Sequence, residues 1–129
     1  MPLSTAITQG IQVDVDCRFV PEQSVPDEGL WFFAYQITIS NLGSETVQLV
    51  SRHWVITNGD GQVEHVRGAG VVGHQPTLRA QEGFQYVSGC PLNTPFGSMR
   101  GTYQIVAQDG TLFDAAIAEF SLVDPAVLN

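Results

Sequence analysis

From Ile11 to Phe19 the chain alternates without a slip: Ile11, Val13, Val15, Cys17 and Phe19 fall on one side, Gln12, Asp14, Asp16 and Arg18 on the other. Successive side chains of an extended backbone point to opposite faces, so this period specifies a strand with one dry and one wet face. The same grammar continues. Leu30 to Ser40 carries Phe33, Tyr35, Ile37 and Ile39 on one side, with no helical stripe. Thr46 to Thr57 reads as a strand bearing Val47, Leu49, Val50, Trp54, Val55 and Ile56, and Gln62 to Arg67 returns from it through the hairpin signal Asn58-Gly59-Asp60-Gly61. Phe84 to Ser88, Met99 to Ala107 and Thr111 to Val123 complete the set. In the last, the alternation slips between Phe113-Ala115-Ile117 and Phe120-Leu122, which predicts a bulge between Ala116 and Glu119.

Asn41-Leu42-Gly43-Ser44 and Asp109-Gly110 supply turn chemistry between these runs. Pro76 to Glu82 reads as one or two helical turns, with Pro76 in the first turn and Gly83 as the stop. The count of about seven short strands predicts an all-β fold, an antiparallel β-sandwich of immunoglobulin/fibronectin-III type. One domain is expected over residues 1–129, with its core from about 10 to 124.

Composition narrows the function classes. Thirteen acids face five arginines and no lysine, a formal net charge of −8, so nucleic-acid and anionic-membrane partners are not expected. Hydrophobic content of 43% with 14% charged residues describes a packed globule. The longest apolar run, Leu30 to Tyr35, is too short to span a bilayer, and nothing from Met1 to Thr5 suggests export, so the cytoplasm is the expected compartment. Cys17 and Cys90 are then expected as free thiols, Cys17 on an inward strand position and Cys90, between Gly89 and Pro91, at an accessible one.

Gly68-Ala69-Gly70-Val71-Val72-Gly73 spells GxGxxG. That spacing cradles a pyrophosphate only where a strand enters and a helix leaves, so that backbone N–H groups and a helix dipole converge on the anion. Gln62 to Arg67 enters as a strand. Pro76 to Glu82 has only Leu78 and Ala80 to bury, and Asn93 stands where a ribose-binding acid belongs. A dinucleotide fold is excluded. The bare backbone could still form an anion nest, with Arg67 adjoining and Arg52 reaching it across a strand pair. The simpler reading is steric: Gly68, Gly70 and Gly73 permit sharp bends and close approach.

In Ser51-Arg52-His53-Trp54, Arg52 and Trp54 share one face and Ser51 and His53 the other. Trp54 reads as a core anchor and Arg52 as a hydrogen-bond donor at the core's edge. His53, His65 and His74 lack metal-type spacing, and Ser88 and Cys90 lack the neighbours of a nucleophile. No catalytic or metal set and no cofactor is expected. The residues expected to contact a ligand or partner are Arg52, His53, Arg67, Gly68, Gly70, Gly73 and His74.

Four blocks carry a family resemblance. Val47 to Thr57, Val66 to Pro76, Phe84 to Gly89 and Thr94 to Tyr103, with Gln23-Ser24 and Phe33-Ala34-Tyr35 upstream, resemble the ApaG family over about Ile11 to Val123. The resemblance implies a fibronectin-III-like sandwich in a bacterial cytoplasmic protein. It further implies a link to diadenosine polyphosphate metabolism and to cobalt and magnesium homeostasis, and related domains imply protein–protein recognition. The family's GxGxxG, considered a pyrophosphate site, falls on Gly68, Gly70 and Gly73. One departure stands out: Ala80-Gln81 occupies the place of the family's proline-glycine turn, which predicts a looser turn beside the glycine loop.

The expectation is therefore a non-enzymatic binding module for an unidentified protein partner. Its rival is a protein that binds a phosphate-containing small ligand (a pyrophosphate or dinucleoside polyphosphate) or a divalent metal at the glycine loop. Exposed sandwich edges also leave room for a homo-oligomer.

Overall fold

The structure, a computed structural model, describes residues 4–128. Within them nine strands run as β1 (Ser4–Thr8), β2 (Ile11–Phe19), β3 (Trp31–Asn41), β4 (Val47–Asn58), β5 (Val63–Ala69), β6 (Thr77–Leu78), β7 (Gly83–Leu92), β8 (Phe96–Ala107) and β9 (Leu112–Val123). One sheet has the order β1-β2-β3-β7; the other has β5-β4-β8-β9, with β6 also paired to β4. All pairings are antiparallel. The chain changes sheet after β3, after β6 and after β7, and the result is the expected all-β antiparallel sandwich.

The alternating residues fill the space between the sheets. Val13, Val15, Ile37, Ile39, Leu49 and Tyr103 are wholly buried. Trp54 is the aromatic centre, edge-on to Tyr35, Tyr103 and Phe120 with ring centroids 5.4, 6.5 and 6.0 Å away. At β8–β9 the register shifts between the pairs Met99–Phe120 and Gly101–Ile117. Ala118 and Glu119 there oppose the single residue Arg100, a one-residue bulge where the slip in alternation predicted one.

Three expectations are corrected. β1 adds a strand before Ile11, joined to β2 by a two-residue turn with both Gln9 (φ 48°) and Gly10 (φ 82°) left-handed. Pro76 to Glu82 holds no helical turn; its apolar Leu78 is buried by pairing in β6 against Val47. The Arg79–Glu82 turn is not loose either. Its closing bond, Glu82 N–H to Arg79 carbonyl, is 3.0 Å. The Glu82 carboxylate in turn accepts the Arg79 backbone N–H at 2.7 Å and the Arg79 Nη2 at 2.9 Å. Gln81 sits at φ 70°, the third position of a type II turn, where glycine belongs.

Asn41 ties this corner to the core. Its buried side chain donates to the Glu45 and Leu78 carbonyls at 2.7 and 3.0 Å and accepts the Gly43 N–H at 3.0 Å. Two predictions follow from these contacts. Asn41→Ala strands those backbone groups and lowers unfolding stability in urea by about 2 kcal/mol. Gln81→Gly relieves the left-handed strain and raises the melting temperature, a gain of roughly 1 kcal/mol; an unchanged or lower midpoint contradicts the turn assignment.

Candidate functional site

The site begins with an irregularity in β4. Leu49 pairs with Ile105 but Ser51 pairs with Gln104, so Val50 is an extra residue in the ladder to β8. A bulge inverts the facing of everything beyond it. Val47 and Leu49 point into the core before it; Arg52, Trp54 and Ile56 do so after it. Ser51 and His53 consequently face out, as the sequence predicts.

On the other edge of β4, β5 covers Ser51 to Thr57 and β6 covers Val47 and Gln48. The gap between them falls at the bulge, and the glycine-rich loop closes it. The Val50 carbonyl accepts the Gly70 N–H at 2.8 Å and the Gln75 side-chain amide at 2.9 Å. The Leu49 N–H donates to the Pro76 carbonyl at 3.0 Å. Buried backbone groups need such partners, and a bulge strands them.

The loop itself is a tight hairpin. Val71 and His74 exchange both backbone hydrogen bonds at 2.8 Å, around Val72 at φ 42° and Gly73 at φ 83°. Both central residues are left-handed, which defines a type I′ turn. Gly70 is also left-handed, at φ 62°, and a Cβ there would overlap the His74 carbonyl oxygen. A Cβ on Gly68 would lie 2.9 Å from the Arg52 guanidinium nitrogens. Arg52 occupies that space and donates from Nη1 to the Ala69 and Gly70 carbonyls at 3.0 and 2.9 Å. The predicted reach of Arg52 to the loop is therefore real, and it clamps the loop from the core side. The N–H groups of Gly70, Val71 and His74 are occupied by protein carbonyls; those of Val72 and Gly73 find no acceptor among the described residues.

The remaining candidates separate. Arg67 lies opposite His53 on the outer face of β4–β5, turned away from the loop backbone. His74 leaves that face and packs on Phe84, ring centroids 5.7 Å apart. His65, set aside in the sequence for want of spacing, comes within reach of His53. His53 Nε2 and His65 Nδ1 are 2.9 Å apart, with the rings stacked at 5.2 Å. Partial desolvation holds His53 below the usual imidazole range, followed by the charges of Arg67, His65 and Arg100, with Asp114 opposing them. Two imidazoles alone make an incomplete metal set, and no group of three or more His, Cys, Asp or Glu comes together among the described residues. The Arg67 and Arg100 charges further disfavour a cation there.

Beneath Arg52 lies a buried phenol cluster. Tyr86 and Tyr103 hydrogen-bond to each other through their hydroxyls, and burial raises the pKa of Tyr35, Tyr86 and Tyr103 alike while the Arg52 charge pulls the other way. Cys90 is not accessible, contrary to expectation. β7 runs on to Leu92, which places Cys90 opposite Phe33 on the core side, 3% exposed. Burial, with the Glu64 and Cys17 charges, pushes its thiol up to about 12; burial and Asp16 push Cys17 up to about 11.

Fold and site together define a two-sheet β-sandwich domain with a glycine-rich loop sealing one sheet edge. Sequence comparison narrows this. The model of the ApaG domain matches residues 21–107. A protein ApaG of Dechloromonas aromatica (strain RCB) is 54% identical over 119 residues, 92% of this chain and 94% of that one. Another, of Methylobacterium sp. (strain 4-46), is 56% identical over 122 residues, 95% of this chain and 94% of its own length. A Bordetella pertussis protein solved by crystallography under the name ApaA superposes with a TM-score of 0.87 at 52% identity, covering 89% of this chain and 94% of that one. The chain belongs to the ApaG family.

Removing the clamp should be costly. Arg52→Ala deletes two charge-assisted bonds and is expected to destabilise by about 2 kcal/mol in thermal unfolding, with lysine a poor substitute. Gly70→Ala should cost more than Gly73→Ala, because only the first meets a backbone oxygen. Both thiols stay protonated at mildly alkaline pH, so an aromatic disulfide reagent should label the folded protein slowly and both cysteines promptly after unfolding.

Proposed function

We propose that this ApaG-family chain is a non-enzymatic binding module whose role is protein–protein recognition. The observation that supports it most is the outer face of β4 and β5. There His53, His65 and Arg67 stand together on a sheet surface, while the sole ion pair among the described residues is Arg79 with Glu82. Flat sheet surfaces suit apposition of a second surface, whereas small-molecule sites are concave. A cleft of about 370 Å³ lies at the other end of β4, lined by Ile56, Asn58, Leu92 and their neighbours, and contains none of the predicted contact residues.

On this reading the cytoplasm is the setting, and Val72, 52% exposed at the loop tip, adds an apolar contact beside the charged ones. Diadenosine polyphosphate metabolism and cobalt and magnesium homeostasis, which the resemblance attaches to the family, are reached through the partner. The rival reading, a pyrophosphate, dinucleoside polyphosphate or divalent metal at the loop, draws on the Val72 and Gly73 N–H groups alone.

Affinity capture from a bacterial extract, followed by calorimetry, separates the two. A partner held by the wild type and lost from Arg67→Glu supports recognition; diadenosine tetraphosphate and cobalt should then give no heat. Saturable heat abolished by Gly70→Ala favours the ligand reading, and turnover of a nucleotide at enzymatic rates contradicts the first.

A further inference from the structure

The arginines of this chain are unevenly placed. Five oppose thirteen acids. Arg79 is paired with Glu82, Arg52 is engaged by the glycine loop, and Arg18 lies on β2 in the opposite sheet. Arg67 and Arg100 are left. Both are exposed, and the strand register brings them to one place. Arg67 on β5 pairs with His53 on β4, which pairs with Thr102 on β8. In the adjacent row, His65 pairs with Val55, which pairs with Arg100. Two rows of three strands thus gather Arg67, His53, His65 and Arg100 around Val55, which is buried on this face at 6% exposure.

We infer that the outer face of the β5-β4-β8 ladder docks an acidic segment of a protein partner, with carboxylates on Arg67 and Arg100 and the His53–His65 pair between them. This rests on the reading of the chain as a recognition module and specifies the chemistry of its partner. Charge complementarity carries it: neither arginine makes an ion pair among the described residues, on a chain whose remaining surface is acidic. Glu64, next to His65 on β5, pairs with Ile56 and so lies on the other face of the sheet. The acids that border the patch on its own face lie on β9, where Asp114 pairs with Gln104 and Glu119 sits in the bulge opposite Arg100. They bound the surface on one side and leave the β5 side open.

Spacing favours an extended peptide over a single compact anion. Arg67 and Arg100 are two strand spacings and one row apart, roughly 12 Å. An extended chain advances about 3.3 Å per residue and alternates its side chains, so acids four positions apart, on one face of the segment, would meet both guanidinium groups. A lone phosphate would meet both only if the two long side chains bent inward together. A divalent cation would face two fixed positive charges.

The histidines add a pH dependence. His53 is faced by His65 and Arg67 from β5, by Arg100 from β8 and by Asp114 from β9. In the free protein partial desolvation, and after it this balance of charges, disfavours the imidazolium. A docked carboxylate reverses the sign of the field and favours it, so docking takes up a proton and tightens as pH falls.

The test is fluorescence anisotropy of a labelled oligoglutamate peptide on the intact chain, at low salt, at about pH 6 and about pH 8. We expect binding that weakens roughly tenfold in Arg67→Gln/Arg100→Gln. It should be tighter at the lower pH and should fade as salt shortens the screening length below about 10 Å. Amide shifts should fall on β4, β5 and β8. His53→Asn should flatten the pH dependence while leaving the arginine effect. Equal affinity in the double variant, equal binding of an oligodeoxynucleotide, or displacement by equimolar inorganic phosphate overturns the inference. So does sedimentation showing a wild-type dimer that the double variant dissolves, because a second copy is then the occupant. Failure of the parent reading looks different: no partner is captured by any face, whatever the peptide does. A captured partner that survives the double variant leaves the module intact and removes only the acidic segment.

Discussion

One extra residue in β4 organises this molecule. Val50 breaks the ladder to β8, and two hydrogen bonds to its carbonyl restore what the bulge costs. Without that insertion the strand would keep its parity, and His53 would be driven into the core in place of Trp54. With it, Trp54 reaches the aromatic centre, Arg52 lies at the core's edge, and His53 comes out to meet His65. The two faces of the site are consequences of a single register shift.

The glycine loop follows from the same constraint. A bulge at a sheet edge leaves donors and acceptors that water or protein must satisfy. Here Gly70, Gln75 and Pro76 supply them, and Arg52 holds the loop by its carbonyls. The glycine spacing then reads as geometry. Gly70 yields space to the His74 carbonyl, Gly68 to a guanidinium, and Gly73 supplies one left-handed residue of a type I′ turn. The spelling matches a nucleotide motif, while most of the donors such a motif presents are already bonded to the protein.

Much of this was legible in the sequence, and the failures have physical causes. The β9 bulge showed because apolar residues sit on both sides of the slip. The β4 bulge leaves the same trace, Val47 and Leu49 on odd positions and Trp54 and Ile56 on even ones. The polar run Ser51-Arg52-His53 hides the switch. A strand read as stopping at Ser88 leaves Cys90 outside it, although Tyr86, Cys90 and Leu92 continue the inward period past Pro91. β6 was hidden by a proline that suits a helix start as well as an edge. The His53–His65 contact is invisible to spacing; it needed the register that the Asn58–Gly61 turn imposes, which sets Val55 opposite His65.

The glycine loop seals the β4 bulge with its own backbone groups and the Gln75 side-chain amide. Residue-resolved amide hydrogen exchange on the unliganded protein tests it most directly. We expect the Gly70, Val71 and His74 amides to be protected to a degree comparable with those of β4, and Val72 and Gly73 to exchange rapidly. Free exchange at Gly70 and Val71 would contradict it, because the loop would then hold its donors open to a ligand.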